Sequence, residues 1–153
     1  MKYQTILIDP PWTFKTYSDK GKGRSPEMHY QVMTMDDIKG MDMASLMDDN
    51  CSVFMWVTWP TLIAALDIGK AWGLTYKTCA FLWAKTNENP HNEIIGVEHD
   101  KHWFFGMGYW TRANTEPCLL FTKGKPKRKA MNVRQLFVGV VMVYSRKPDG
   151  IYN

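Results

Sequence analysis

Apolar positions along the chain fall into short runs separated by polar breaks marked with glycine or proline. The first run, Tyr3-Gln4-Thr5-Ile6-Leu7-Ile8, is β-branched and stops against Pro10 and Pro11, which predicts a buried strand ending at Asp9. Thr34 with Asp37 three residues on has the spacing of a capping box and opens a helix reaching about Met47. Ser52 to Thr58 and Tyr76 to Lys85 read as further strands, with a helix between them that starts near Pro60, runs to Trp72 and stops at Gly73. Glu116 to Thr122 and Val133 to Val143 are the last strand-like runs, and Ser145-Arg146-Lys147-Pro148-Asp149 carries the start signals of a helix. Strand and helix alternate, so the pattern predicts an α/β fold with a parallel-rich sheet and helices on its faces.

Composition bounds the picture. A chain of 153 residues with 45% apolar content supports one domain, 1–153, with its own core. Its net charge of +4 is a modest bias toward polyanions. Cys51, Cys79 and Cys118 sit in apolar runs without metal-ligand spacing and read as reduced core residues, which suits a cytoplasmic protein. No apolar run approaches the roughly 18 residues of a membrane span, so no membrane partner is expected.

Candidate chemistry starts at Asp9-Pro10-Pro11-Trp12. A carboxylate at the carboxyl end of a strand lies on the edge of an α/β sheet where ligands bind. The two prolines stiffen the backbone beyond it and leave carbonyls free to accept, and Trp12 offers a flat face. Acceptor, carbonyl and aromatic plate together suit a planar base carrying an amino group. Lys15 to Met28 is a basic, glycine-bearing loop directly beyond the acid. Thr86 to Phe105 is a long polar segment holding His91, Glu93, Glu98, His99, Asp100 and His102 without regular ligand spacing, so no metal is expected. Gly106-Met107-Gly108 is a weak phosphate-loop signal, whereas five of the seven residues Lys123 to Lys129 are cationic and form a basic turn placed next to the base pocket.

Asp9-Pro10-Pro11-Trp12 after an Ile-Leu-Ile strand resembles the catalytic motif of the adenine N(6)-methyltransferases, the family whose best-known members modify messenger RNA. The resemblance continues through Phe14-Lys15-Thr16-Tyr17, Gly21-Lys22-Gly23-Arg24-Ser25-Pro26-Glu27, His29-Tyr30, Phe54-Met55-Trp56-Val57-Thr58 and Trp83-Ala84-Lys85-Thr86. It resumes at Gly106-Met107-Gly108-Tyr109-Trp110-Thr111-Arg112, Asn114-Thr115-Glu116 and Ser145-Arg146-Lys147-Pro148-Asp149. It covers nearly the whole chain and is greatest to the short bacterial and phage members.

That resemblance implies a Rossmann-like methyltransferase sheet with helices on both faces and methyl transfer from S-adenosyl-L-methionine to the exocyclic amine of adenine in nucleic acid, DNA ranked ahead of RNA. Asp9, Pro10, Pro11 and Trp12 would form the catalytic turn, with the base stacked on Trp12, Tyr109 or Trp110. Asp9, Pro10 and Lys147 would border the cofactor, Lys147 meeting its methionine carboxylate. Lys15, Tyr17, Lys22, Arg24, Tyr109, Trp110, Arg112 and Asn114 would contact the substrate. Related chains continue with a full helix, a further strand and a Gly-Trp and Gly-Asn-rich tail, so the C-terminal helix and last strand are expected to be missing. Val140-Val141-Met142-Val143-Tyr144 stands where relatives show Arg, Glu and His, and Gly150 replaces an acid. An uncovered sheet edge would then favour a homo- or hetero-oligomer. The alternative is a truncated, catalytically inactive relative acting as a nucleic-acid-binding or partner subunit.

Overall fold

The computed structural model describes residues 1–13, 32–87, 102–142, 146–148 and 150. Five strands, β1 (Tyr3–Ile8), β2 (Met47–Trp56), β3 (Thr75–Thr86), β4 (Thr115–Lys123) and β5 (Leu136–Val140), form one sheet in the order β1-β2-β4-β3-β5. The β1/β2 and β3/β5 pairs are parallel, while β4 runs antiparallel to both of its neighbours. This mixed sheet with its helices is consistent with the Rossmann-like methyltransferase fold, although it is less parallel than the alternation of elements suggests.

Local signals act where they were expected. Thr34 accepts from the Asp37 amide at 3.1 Å while Asp37 accepts from the Thr34 amide at 3.3 Å, closing the capping box that opens α1 (Met35–Lys39). The helix expected to reach Met47 is instead broken at Gly40, and Asp42 caps a separate α2 (Met43–Leu46). Asp48, Asp49 and Asn50, expected as a helix end, belong to β2, because Tyr3 pairs with Met47 and draws this polar segment alongside β1. A 3-10 turn at Trp59–Thr61 leads into α3 (Leu62–Ala71), and Gly73 adopts φ +74° just beyond it. β5 is shorter than the run 133–143, and the helix start at Ser145 lies partly outside the described residues.

Period-two alternation divides the sheet into two unlike faces. Val53, Met55 and Val57 in the β2 segment, with Leu119 and Phe121 of β4, turn toward Ile38 of α1, Met43 of α2 and Ala65 and Ile68 of α3, forming the main core. Trp56, Trp83 and Cys118 turn the other way, packed by Phe54, Phe81, Phe137 and Val141. Among the described residues the helices therefore cover one face rather than both. β1 lies at the sheet's edge with Tyr3, Gln4, Thr5 and Leu7 exposed, so it is not the buried strand its apolar letters predict. Among the described residues no helix is long and apolar enough to cross a membrane.

One helix-to-sheet contact depends on a missing side chain. A Cβ on Gly69 of α3 would come within 2.4 Å of the ring of Phe121, which is 1% exposed and has no room to turn away. Alanine is worth about 1 kcal/mol over glycine inside a helix, but overpacking a core costs about 1–3 kcal/mol, so the steric loss wins. Gly69→Ala is expected to lower the thermal midpoint. A rise on thermal denaturation would show that α3 does not ride on Phe121 this closely.

Candidate active site

β1, β2 and β3 all point their carboxyl ends to one edge of the sheet, and antiparallel β4 brings its first residues to the same edge. Asp9 follows β1, Trp56 ends β2, Lys85 lies near the end of β3, and Glu116 is the second residue of β4. Glu116 shares a face with Cys118, and Lys85 shares that face with Trp83, so all four charged and aromatic groups lie opposite the helix layer. The chain then returns to lay Lys147 over this face.

The result is a row of alternating charges. The Lys85 ammonium is 2.6 Å from Glu116 Oε2, Glu116 Oε1 is 2.8 Å from the Lys147 ammonium, and Lys147 donates to Asp9 Oδ2 at 2.7 Å. The Lys147 side chain is 5% exposed and Glu116 10%, whereas that of Asp9 is 45% exposed. Lys147 also sits 5.4 Å above the Trp56 ring, and Lys85 4.7 Å above that of Trp83. Burial pushes the Glu116 pKa up, but the attraction of Lys147 and Lys85 outweighs it and holds it below the ordinary 4.5. Burial pushes Lys147 down, but Glu116 and Asp9 together hold it above 10.5.

Asp9 behaves differently. Loss of hydration raises its pKa above the ordinary 3.8 and Lys147 only partly offsets this, while Glu116 adds to the rise. Its exposed part faces a recess, not open surface, which reconciles partial exposure with poor hydration. That recess is a cavity of about 640 Å³ lined by Asp9, Pro10, Pro11, Trp59, Trp83, Lys85, Phe104, Phe105, Glu116, Val141, Met142 and Lys147, among others. Its size and its mix of aromatic walls with few polar groups suit a small-molecule or nucleobase site.

The turn after β1 is more committed than its sequence suggests. The Pro10 carbonyl accepts from the Trp12 amide at 2.8 Å and the Pro11 carbonyl from the Met33 amide at 3.1 Å, so neither is free, and each retains one lone pair. Trp12 is 4% exposed, and its indole N–H donates to the Trp56 carbonyl at 2.9 Å. It reaches the cavity lining but fastens the ends of β1 and β2 together instead of presenting an open plate. Asp9 Oδ1 has no donor among the described residues and remains available to accept.

Other expected site residues divide clearly. Asp9, Pro10, Pro11, Trp12 and Lys147 meet at the cavity. Tyr109, Trp110, Arg112 and Asn114 lie on the segment after Phe104 but do not line it, although their neighbours Met107, Ala113 and Thr115 do. Tyr109 and Trp110 are 71% and 92% exposed, with Trp110 at φ +68°. Lys15, Tyr17, Lys22 and Arg24 lie outside the described residues, as does most of the polar segment with His91, Glu93, Glu98, His99 and Asp100. The basic turn at Lys123 lies at the far end of β4 from Glu116, not beside the pocket.

Three residues of the cavity wall were given no role by the sequence. Glu116 and Lys85 stood inside segments that carry the family resemblance and as charges in otherwise apolar strands, but were assigned nothing. Trp59 is 48% exposed on the cavity wall, with its indole N–H held by Thr115 Oγ1 at 2.9 Å, and it stands three residues past the end of β2, directly before Pro60.

The charge row makes a pH prediction. Lys147→Gln removes the group that lowers the Asp9 pKa, so any activity needing ionised Asp9 should show its acid limb moved to higher pH. Glu116→Gln removes a repulsion and should move that limb lower. For folding, the depressed Glu116 pKa gives stability present above about pH 4.5 and lost as pH falls through the folded value. Removing one member of a buried pair costs about 3–5 kcal/mol, so Glu116→Gln should also lower the denaturation midpoint at pH 7. Identical acid limbs in the two variants would show that Asp9 is not electrically joined to them.

Comparison with known proteins gives a consistent picture. A family model described as MT-A70 matches residues 3–153. The chain is 32% identical over 169 aligned residues to the type II methyltransferase M.MunI of a Mycoplasma species, covering 99% of this chain and 65% of that protein. It is 28% identical to an N(6)-adenosine-methyltransferase MT-A70-like protein of Drosophila melanogaster, over 99% of this chain and 22% of that one. It is 30% identical to the N6-adenosine-methyltransferase non-catalytic subunit MTB of Arabidopsis thaliana, over 83% of this chain and 15% of that one. The chain thus spans just under two thirds of the first relative's length and about a fifth of the second's.

Proposed function

Because the chain belongs to the MT-A70 family, we propose that it transfers a methyl group from S-adenosyl-L-methionine to the exocyclic amine of adenine in nucleic acid. The observation that carries this reading is Asp9, placed by two prolines at the rim of an aromatic cavity with one carboxylate oxygen held by Lys147 and the other open. We rank DNA ahead of RNA as the polymer, a reading supported by greater identity to the type II methyltransferase than to the adenosine-methyltransferase relative of Drosophila.

In this reading the adenine enters unpaired and stacks on the exposed Trp59, with Phe105 as the opposite wall. Its amino hydrogens reach Asp9 Oδ1 and the remaining lone pair of the Pro10 carbonyl. Both acceptors are fixed before the base arrives, so rate comes from alignment and from stabilising positive charge growing on the amine. Asp9 is then the nearest acceptor for the proton that the methylated nitrogen sheds. S-adenosyl-L-methionine, when bound, supplies the electrophilic methyl. Asp9, Pro10 and Lys147 would hold it, and the acid-and-ammonium pair fits the amino and carboxylate groups of its methionine end. Lys15, Tyr17, Lys22 and Arg24, directly after the motif, and Tyr109, Trp110, Arg112 and Asn114 are assigned to the flanking polymer.

The direct test is transfer of labelled methyl to adenine-containing DNA and RNA oligomers. Asp9→Ala should abolish transfer. Trp59→Ala should raise KM by roughly fivefold to a hundredfold, since one stacked base is worth about 1–3 kcal/mol. Transfer that survives Asp9→Ala would move the catalytic centre elsewhere. Nucleic-acid binding without any transfer would favour a non-catalytic subunit, as the Arabidopsis relative is named.

A further inference from the structure

The strongest charge feature of the chain lies away from the cavity. Residues 117–148 hold eight Lys and Arg and no Asp or Glu, so the rest of the chain, with 19 less 8 basic residues against all 15 acids, carries −4. The net positive charge thus comes from one stretch laid across a body that is otherwise acidic. Lys147 within it is turned inward on Asp9 and Glu116. Lys125, Lys127, Arg128, Lys129 and Arg134, by contrast, are all exposed, and among the described residues none of them makes an ion pair.

These five lie on the connection from β4 to β5, whose two ends are tied down. At its start Gly124 takes φ +63°, where a Cβ would meet the Asp49 carbonyl at 2.2 Å, and the Lys125 amide donates to Asn50 Oδ1 at 2.7 Å. At its end the Gln135 side-chain amide donates to the Cys79 carbonyl, and the Gln135 carbonyl accepts from the Leu82 amide at 2.9 Å. Unpaired like charges spaced along so short a connection repel one another, and the chain places no acid among them. The end of the connection comes back along β3, where Gln135 bonds Leu82 opposite Pro117, but its start at Lys123 stands at the far end of β4 from Glu116, which at about 3.3 Å per residue puts it roughly 23 Å from the cavity. That is the length of about seven base pairs, a distance over which a duplex presents a phosphate charge every 1.7 Å or so.

We propose that the β4–β5 connection is a second contact surface for the nucleic acid, gripping backbone phosphates at up to about 23 Å from the reacting base and reading no sequence. The inference rests on the function proposed above for the identity of the polyanion. Its role is to hold a long polymer while the cavity samples bases, so it acts on affinity and not on the chemical step.

The test compares the whole chain with the triple variant Lys127→Gln/Arg128→Gln/Lys129→Gln, and with Lys2→Gln/Lys39→Gln/Lys70→Gln, exposed lysines on the β1 edge and the helix layer, as a charge-matched control. Binding to a labelled G·C duplex is measured without methyl donor over a range of salt. The first variant should weaken binding and flatten the slope of log K on log salt by about 3, whereas the control should leave both nearly unchanged. In the transfer assay KM for a long adenine-containing oligomer should rise at unchanged kcat, and an adenine-containing dinucleotide, too short to reach Lys127 to Lys129, should show no difference. Unaltered binding in the first variant, or equal losses in the control, overturns the proposal. So does equally strong, equally variant-sensitive binding to anionic phospholipid vesicles, which would make the surface a membrane contact. The donor-free binding measurement stands even if no transfer is found, so failure of the surface and failure of the proposed reaction are read separately.

Discussion

One ammonium group shared between two carboxylates holds the site together. Lys147 reaches Glu116 and Asp9 at 2.8 and 2.7 Å, and it does so almost wholly out of water. Removing ions from water costs several kcal/mol each, and attraction offsets that only where geometry is good and charges alternate. Here they do alternate, from Lys85 through Glu116 and Lys147 to Asp9, and the rings of Trp56 and Trp83 lie beneath the two ammonium groups. The inner members are fixed by burial. Asp9, the outermost, keeps one oxygen in the row and one facing the cavity, so the electrostatic order of the interior is passed on to a carboxylate on the cavity wall.

The direction of β4 makes that row possible. In a wholly parallel sheet every strand offers its last residues to the ligand edge, but β4 runs the other way and offers its first. Its acid therefore meets groups from the ends of β1 and β3, which lie to either side of it in the sheet order. The same reversal carries Lys123 and the basic connection to the opposite end, separating two kinds of positive charge. One kind is enclosed and neutralised at the cavity, and the other is exposed beyond the far rim.

Local chemistry was legible in the letters. The stop at Pro10, the cap at Thr34, the helix entry near Pro60 and the left-handed Gly73 each depend on neighbours a few residues away, and each is where its residues predict. Features set by distant pairing were not legible. Asp48, Asp49 and Asn50 entered a strand because Met47 pairs with Tyr3 more than forty positions earlier, and β1 lies at an edge although its composition suits an interior strand. The acid of the site was evident from its turn, yet its ties to Lys147 and through it to Glu116 require a strand order that no local pattern encodes. Aromatic residues misled in the same way: Trp12 has the letters of a stacking plate and is enclosed, whereas Trp59 is the ring left facing the cavity.

The indole of Trp12 donates to a main-chain carbonyl at residue 56, so the last letter of the motif is a fastener for the first. Activity lost on replacing that tryptophan reports a displaced acid as readily as a missing aromatic surface. A phenylalanine there keeps the ring and drops the tether, which turns the tetrapeptide from a single signature into two separable parts, one that carries the acid and one that keeps the acid in place.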